Sequence, residues 1–173
     1  MRRVPERWRE PFASSETVRQ RMSAQRSRDT VPELAVRRAL YKMGLRYRVH
    51  IQPLPSLRRK ADVVFTKARV AVFVDGCFWH GCPEHGGRRH DINGWYWPEK
   101  IERNRRRDAD TDRRLADNGW TSVRAWEHDD PDEVAAAVRA ALQADRLADE
   151  HVEQAAVPGV TNRTVARRER GDT

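Results

Sequence analysis

Cys77, His80, Cys82, His85 and His90 fall within fourteen residues, which gather both cysteines and three of the six histidines of the chain. Thiolate and imidazole at this density are the donors of a tetrahedral zinc site. The local spacing is Cys-x4-Cys-x2-His, and His128, just after Trp126-Glu127, is the best remote fourth donor. The competing reading is a pair of buried thiols with incidental surface histidines. Metal is favoured because Gly76, Gly81, Pro83, Gly86 and Gly87 make a loop too poor in core residues to hold itself. A structural zinc contributes roughly 10–16 kcal/mol of apparent folding free energy in such loops. His80 lies between the cysteines and is not assigned to the set. A disulfide is the weaker use of two cysteines in a reducing compartment.

Asp62 poses a different problem. It interrupts the apolar run Val63-Val64-Phe65, beside an equally apolar Val70-Ala71-Val72-Phe73-Val74. A carboxylate buried there must be paired or must hold a metal; otherwise it caps a strand end or faces solvent. An Asp on one strand and a His just past the end of the next suit metal-assisted phosphodiester hydrolysis. Mg²⁺ takes carboxylate, carbonyl and phosphate oxygens, and a neutral imidazole can take a proton from water. Phe78-Trp79 and Trp95-Tyr96-Trp97 surround the Gly-rich loop, either as cover for a metal or as wedges that stack into nucleic acid. In the basic run from Lys100 to Arg114, Arg105, Arg106 and Arg107 cannot share one helix face, so part of it is solvated surface. Asp108 shares a face with Asn104; taken singly, it reads as a surface ion pair.

These groups must be positioned by local elements. Thr30-Val31-Pro32-Glu33 has the spacing of a capping box, with Pro in the first turn. Val36, Leu40 and Met43 continue at helical spacing, and Gly44 sits where a C′ glycine belongs. Leu45, Tyr47, Val49 and Ile51 alternate as a half-buried strand. Ala61–Phe65 and Val70–Val74 read as buried strands joined through Thr66–Arg69. A basic, exposed helix over 98–118 closes at Gly119, Trp120–Trp126 is another core strand, and 132–147 is an amphipathic helix. The order αβββαβα makes an α/β fold, with helices around a mixed central sheet.

The 173 residues argue for one domain with tails. Lys and Arg number 34 against 26 Asp and Glu, a formal charge of +8, which points to a polyanionic partner, with nucleic acid foremost. Residues 1–18 are expected to be a basic flexible arm, 19–148 the folded domain and 149–173 a disordered tail. No apolar run approaches a membrane span. The Arg-rich start has no apolar segment behind it, so the cytoplasm, at the nucleoid, is the expected compartment.

Asp75-Gly76-Cys77-Phe78-Trp79-His80-Gly81-Cys82-Pro83-Glu84-His85 resembles the hallmark segment of very short patch repair (Vsr) DNA mismatch endonucleases. The likeness runs in order through Thr30–Glu33, Gly44–Arg48, Ala61–Phe65, Tyr96-Trp97-x-x-Lys100, Asn104-x-x-Arg107-Asp108, Gly119-Trp120 and Trp126-Glu127-His128. The resemblance implies a restriction-endonuclease-like fold with a structural zinc site, and a Mg²⁺-dependent nick beside the T of a T:G mismatch in double-stranded DNA. It implies Asp62 and the backbone carbonyl of Val74 as Mg²⁺ ligands. His80 matches the catalytic histidine, Asp108 the carboxylate that orients it, and Glu33 a glutamate near the active site. Cys77, Cys82, His85 and His128 match the zinc ligands. Phe78, Trp79 and Trp97 match aromatics that enter the DNA; Lys100 joins them as a phosphate contact. Arg58-Arg59-Lys60-Ala61 departs from the family's usual Gly-Arg-Pro before the aspartate. Asp75 stands where relatives vary, as a second carboxylate or a turn residue. A monomer suffices to nick one strand, and other mismatch-repair proteins are expected to act with it. The alternatives are a non-cleaving binder of distorted DNA and a related nuclease for another lesion or site.

Overall fold

The computed structural model describes residues 28–86 and 96–155. Helix α1 (Val31–Lys42) begins at Thr30, whose hydroxyl accepts from the Glu33 N–H at 3.5 Å and donates to Glu33 Oε1 at 3.0 Å. The other Glu33 oxygen accepts the Asp29 N–H at 2.9 Å, so the expected capping box forms one residue wider. Met43 and Gly44, with φ +78° at the glycine, end the helix as expected.

Strands β1 (Arg48–Ile51), β2 (Ala61–Phe65), β3 (Val70–Asp75) and β4 (Thr121–Trp126) form one sheet in chain order. The first three are antiparallel neighbours and β4 joins β3 in parallel, so the sheet is mixed, as expected. β1 is shorter than its alternating pattern suggested, although Leu45 and Tyr47 still pack on the core. Between β3 and β4 lie α2 (Cys77–His80) and α3 (Tyr96–Asp117); α4 (Pro131–Ala155) follows β4. α2 is a single turn that the glycine content concealed; Gly81, at φ +66°, stops it. α4 runs past the expected end at 147, so the tail expected to be disordered from 149 begins inside a helix. The rest of that tail, and the arm over 1–18, lie outside the described residues.

Helices cover both faces of the sheet. On one, Val36, Leu40, Val134 and Val138 of α1 and α4 pack on Val63, Phe65, Val70 and Val72. On the other, Leu57 and Leu115 pack on Val64, Ala71 and Phe73. Strands buried on both faces read as continuous apolar runs, which is why β2 and β3 were legible.

One irregularity bears on the site. Ala61 and Val63 should share a face, yet Ala61 packs with the second core and Val63 with the first. Alongside, Tyr47, the residue before β1, packs against the first core and Ile51, at the end of β1, against the second. The pairs Val49↔Val63 and Ile51↔Ala61 put His50 opposite Asp62, and His50 has φ +53°, a rare conformation for a non-glycine residue. Both strands therefore change faces at this pair, without a slip in register.

Candidate nicking site and metal centre

Asp62 sits at that switch, where β2 and β3 part. Their pairing runs as far as Val63↔Val72, and beyond it the Val74 N–H donates to Asp62 Oδ2 at 2.8 Å in place of a backbone acceptor. The N–H and C=O of an extended residue project to the same side, so the Val74 carbonyl faces the same gap. Among the described residues, Asp62 Oδ1 has no partner. Burial pushes the Asp62 carboxyl up to about 6; the Val74 N–H and Arg37 oppose this, and Glu33 and Asp75 add to it. Unrelieved negative charge beside a free carboxylate oxygen and a carbonyl is a fitting place for a hard divalent cation.

Glu33 is buried and fully engaged, holding Thr30 and Asp29 and accepting from Arg37 Nη2 at 3.1 Å. The same Arg37 nitrogen donates to the Asp62 carbonyl at 3.4 Å. Glu33 thus reaches Asp62 through its field and through Arg37, while serving as the cap.

His80, at the end of α2, turns away from the cysteines. Its Nδ1 lies 2.5 Å from Asp108 Oδ2 and 3.5 Å from Asp75 Oδ1. Asp108 is therefore more than the surface ion pair it resembles in isolation. Two carboxylate acceptors at Nδ1 favour the tautomer that carries its proton there, in which Nε2 is the acceptor. Burial works against ionisation of Asp108, but the His80 hydrogen bond, with the charges of His80, Arg124 and Arg107, holds its carboxyl below the usual range. His80, Asp75 and Asp108 line a cavity of about 380 Å³.

α3 grips α2 from one face. Asn104, one turn before Asp108, donates to the Trp79 carbonyl at 2.7 Å, and Arg105 donates to the carbonyls of His80 and Gly81. Glu127 holds the other end, accepting the Cys77 N–H at 2.8 Å. Elsewhere, Arg103 and Arg106 pair with Glu99 and Glu102 on the surface, the solvated portion expected of this run.

Cys77, Cys82, His85 and His128 present four donor atoms within 4.8 Å of one another. Cys77 Sγ lies 3.0 Å from His128 Nδ1 and 3.9 Å from His85 Nδ1; Cys82 Sγ lies 3.9 and 4.0 Å from His85 and His128. A tetrahedron with metal–sulfur bonds of about 2.3 Å and metal–nitrogen bonds of about 2.0 Å has S···N edges of about 3.5 Å, so the set fits a metal. His128 Nε2 faces Asp129 and Glu84 at 3.5 Å each, the outer carboxylates that orient a ligating imidazole. Burial, Cys82 and Glu127 push the Cys77 thiol upward, a bias that a bound cation reverses. His90 lies outside the described residues.

Phe78, Trp79 and Trp97 form one edge-to-face cluster with centroids 4.8 to 5.8 Å apart. Trp97 is buried beneath the half-exposed Phe78 and Trp79, so it floors the cluster. Lys100 Nζ stands 5.2 Å from the Trp79 centroid and 5.7 Å from that of Trp97.

Sequence reasoning missed Arg124. It donates to Asp75 Oδ2 at 2.7 Å and Asp112 Oδ2 at 2.8 Å, and lies over the Phe73 ring at 4.7 Å. Its position inside the strand Thr121–Trp126, opposite Phe73, was the available signal, because an arginine in a core strand must meet acids.

A family model described as DNA mismatch endonuclease Vsr matches residues 13–84. The type II nicking enzyme V.NaeI of Lentzea aerocolonigenes is 45% identical over 119 residues, 68% of this chain and 71% of that protein. The type II nicking enzyme V.XorIIP of Xanthomonas oryzae pv. oryzae is 40% identical over 114 residues, 66% of this chain and 82% of that protein. DNA mismatch endonuclease Vsr of Escherichia coli (strain K12) is 33% identical over 106 residues, 61% of this chain and 66% of that protein.

Proposed function

This chain belongs to the Vsr family of DNA mismatch endonucleases and is a strand-nicking endonuclease, and from that premise we propose that it nicks one strand of duplex DNA beside the T of a T:G mismatch. The observation that carries the reading is the pairing of two unlike clusters at the two ends of α2: Asp75, His80 and Asp108 at one, next along β3 to the Val74 that holds Asp62, and Cys77, Cys82, His85 and His128 at the other. The hard oxygens of Asp62 and the Val74 carbonyl would hold Mg²⁺, which supplies Lewis-acid stabilisation of the charge on the phosphoryl group. The thiolate and imidazole donors suit zinc in a closed site.

In this mechanism His80 Nε2 accepts a proton from water as the water oxygen bonds to phosphorus. The P–O bond on the far side breaks, leaving a phosphate monoester and an alkoxide that takes a proton from solvent water to become the hydroxyl at the nick. Asp108 accepts the Nδ1 hydrogen bond, fixing the tautomer and stabilising the imidazolium that forms. Glu33, through Arg37, holds the Asp62 backbone in place.

Phe78 and Trp79 would enter the DNA, with Trp97 as the platform beneath them. Unstacking a step costs a few kcal/mol, and a wobble pair deforms more readily than a Watson–Crick pair, so deformation discriminates. Lys100 and the basic arm over 1–18 would add phosphate contacts, which strengthen binding without reading sequence. A monomer acting at the nucleoid, ahead of other mismatch-repair proteins, completes the proposal.

The test is incubation of matched and T:G duplexes, each labelled on one strand, with full-length protein and Mg²⁺. A nick confined to the T strand of the mismatched duplex supports the reading. Equal nicking of a matched duplex assigns the protein to another target, and tight binding without nicking makes it a binder.

A further inference from the structure

The carboxylates that meet His80 are shared with a second cation belonging to the protein itself. Asp75 presents Oδ1 to His80 Nδ1 at 3.5 Å and Oδ2 to Arg124 Nη1 at 2.7 Å. Asp108 divides in the same way, with Oδ2 at 2.5 Å from His80 Nδ1 and Oδ1 at 3.7 Å from Arg124 Nη2. Two carboxylates thus bridge one imidazole and one guanidinium, and all four of their oxygens are taken. Arg124 is fixed in turn by Asp112 through Nε at 2.8 Å, by the Asp108 carbonyl at 3.4 Å and by the Phe73 ring. It stands on β4 while Asp75 stands on the parallel neighbour β3, so the sheet sets the guanidinium's position. A planar fork reaches several oxygens at once where an ammonium cannot.

Asp75, His80 and Asp108 otherwise have the donor types of a metal site. We propose that Arg124 is a positioning residue of the nicking site: it clamps Asp75 and Asp108 against His80 and keeps divalent cations off that carboxylate pair. The number of catalytic cations is then set at Asp62. This rests on the function proposed above, but its cation count is independent of it.

The experiment compares wild type, Arg124→Gln, Arg124→Lys, Asp75→Asn and Asp62→Asn as full-length proteins with the Cys–His site loaded. Steady-state nicking gives kcat and KM for the mismatched duplex, and Mn²⁺ bound at saturation is counted by the resonance of the free ion. Misplacing a reacting group by about 1 Å costs on the order of 10²-fold in rate. Arg124→Gln should therefore lose about that much in kcat with KM unchanged, and Arg124→Lys should recover part of it. Asp75→Asn should keep the wild-type Mn²⁺ count, whereas Asp62→Asn should lose one ion.

Wild-type kcat in Arg124→Gln overturns the positioning role, and an Mn²⁺ ion lost on Asp75→Asn overturns the exclusion of metal. Should Arg124→Gln fail to fold, Asp75→Asn carries the kinetic test, since it breaks the same bridge at lower cost to the core. Should wild type nick some other duplex, the variants are read on that DNA; the Mn²⁺ count stands whatever is nicked.

Discussion

The two ends of the four-residue helix α2 serve opposite chemistries. Cys77 at its start joins Cys82, His85 and His128, soft donors arranged at close to tetrahedral spacing. His80 at its end joins Asp75 and Asp108, hard carboxylate oxygens instead of thiols. The first cluster is assembled from a loop that lacks a core of its own. The second is assembled from β3 and α3, which the hydrophobic cores hold, and from α2, which α3 grips. One turn of helix separates the proposed structural centre from the proposed catalytic one.

Exchanging the losses breaks this comparison most sharply. With roughly 10–16 kcal/mol of apparent metal-binding free energy at stake, Cys82→Ala should lose its bound zinc and melt far below the parent. Asp62→Ala should keep its zinc and melt no lower than the parent while nicking disappears. Zinc analysis and thermal unfolding of both proteins check it. A Cys82→Ala protein with full stability and one bound zinc would end the assignment of that cluster as structural.

The next largest effect concerns His80. General-base catalysis is worth about 10²–10⁴-fold, so His80→Ala should lose that much nicking while binding mismatched duplex as before. Asp108→Asn should lose less, since Asp75 still faces Nδ1. Comparable losses in binding and nicking would make His80 a residue of the fold.

Asp62 sharpens the comparison through stability. Its carboxyl is raised from 3.8 to about 6, mainly by burial. The native protein therefore keeps a proton that the unfolded chain releases, and stability falls as pH rises through that window. Asp62→Asn should be more stable than the parent by about 1–3 kcal/mol at pH 8, and no more stable at pH 3.5. Urea unfolding without added divalent cation measures both, and Mg²⁺ at pH 8 should narrow the gap.

Most of the sheet was legible because β2 and β3 are apolar on both faces, and the Cys–His set because its donors cluster in sequence. Position alone suggested Asp62. The ties between elements were not legible. Nothing in the spacing says that Arg124 meets Asp75 and Asp108, that Glu127 holds the Cys77 N–H, or that Arg105 caps α2. Those contacts depend on the relative placement of β3, β4 and α3, which local periodicity does not carry. The turn of α2 was hidden for a related reason: four residues are too few for a period, and its stability comes from α3 rather than from propensity.

The smallest expected effect tests the switch that presents Asp62. His50 holds φ +53° opposite it, and both strands change faces at that pair. A left-handed conformation costs an L-residue about 1–2 kcal/mol, and a β-branched residue tolerates it least. Glycine adopts it freely but loses more entropy on folding, about 0.4–1 kcal/mol. His50→Gly should therefore be as stable as the parent or up to about 1 kcal/mol more so, and should nick normally. His50→Val should favour extended backbone, pulling Ile51 and Asp62 toward the wrong faces, with a loss of about 1–2 kcal/mol and a lower nicking rate. Urea unfolding and single-turnover nicking of the two variants check this. If His50→Gly lost nicking at full stability, the imidazole itself would belong to the site. If His50→Val matched the parent in both, the orientation of Asp62 would depend on the Val74 N–H alone.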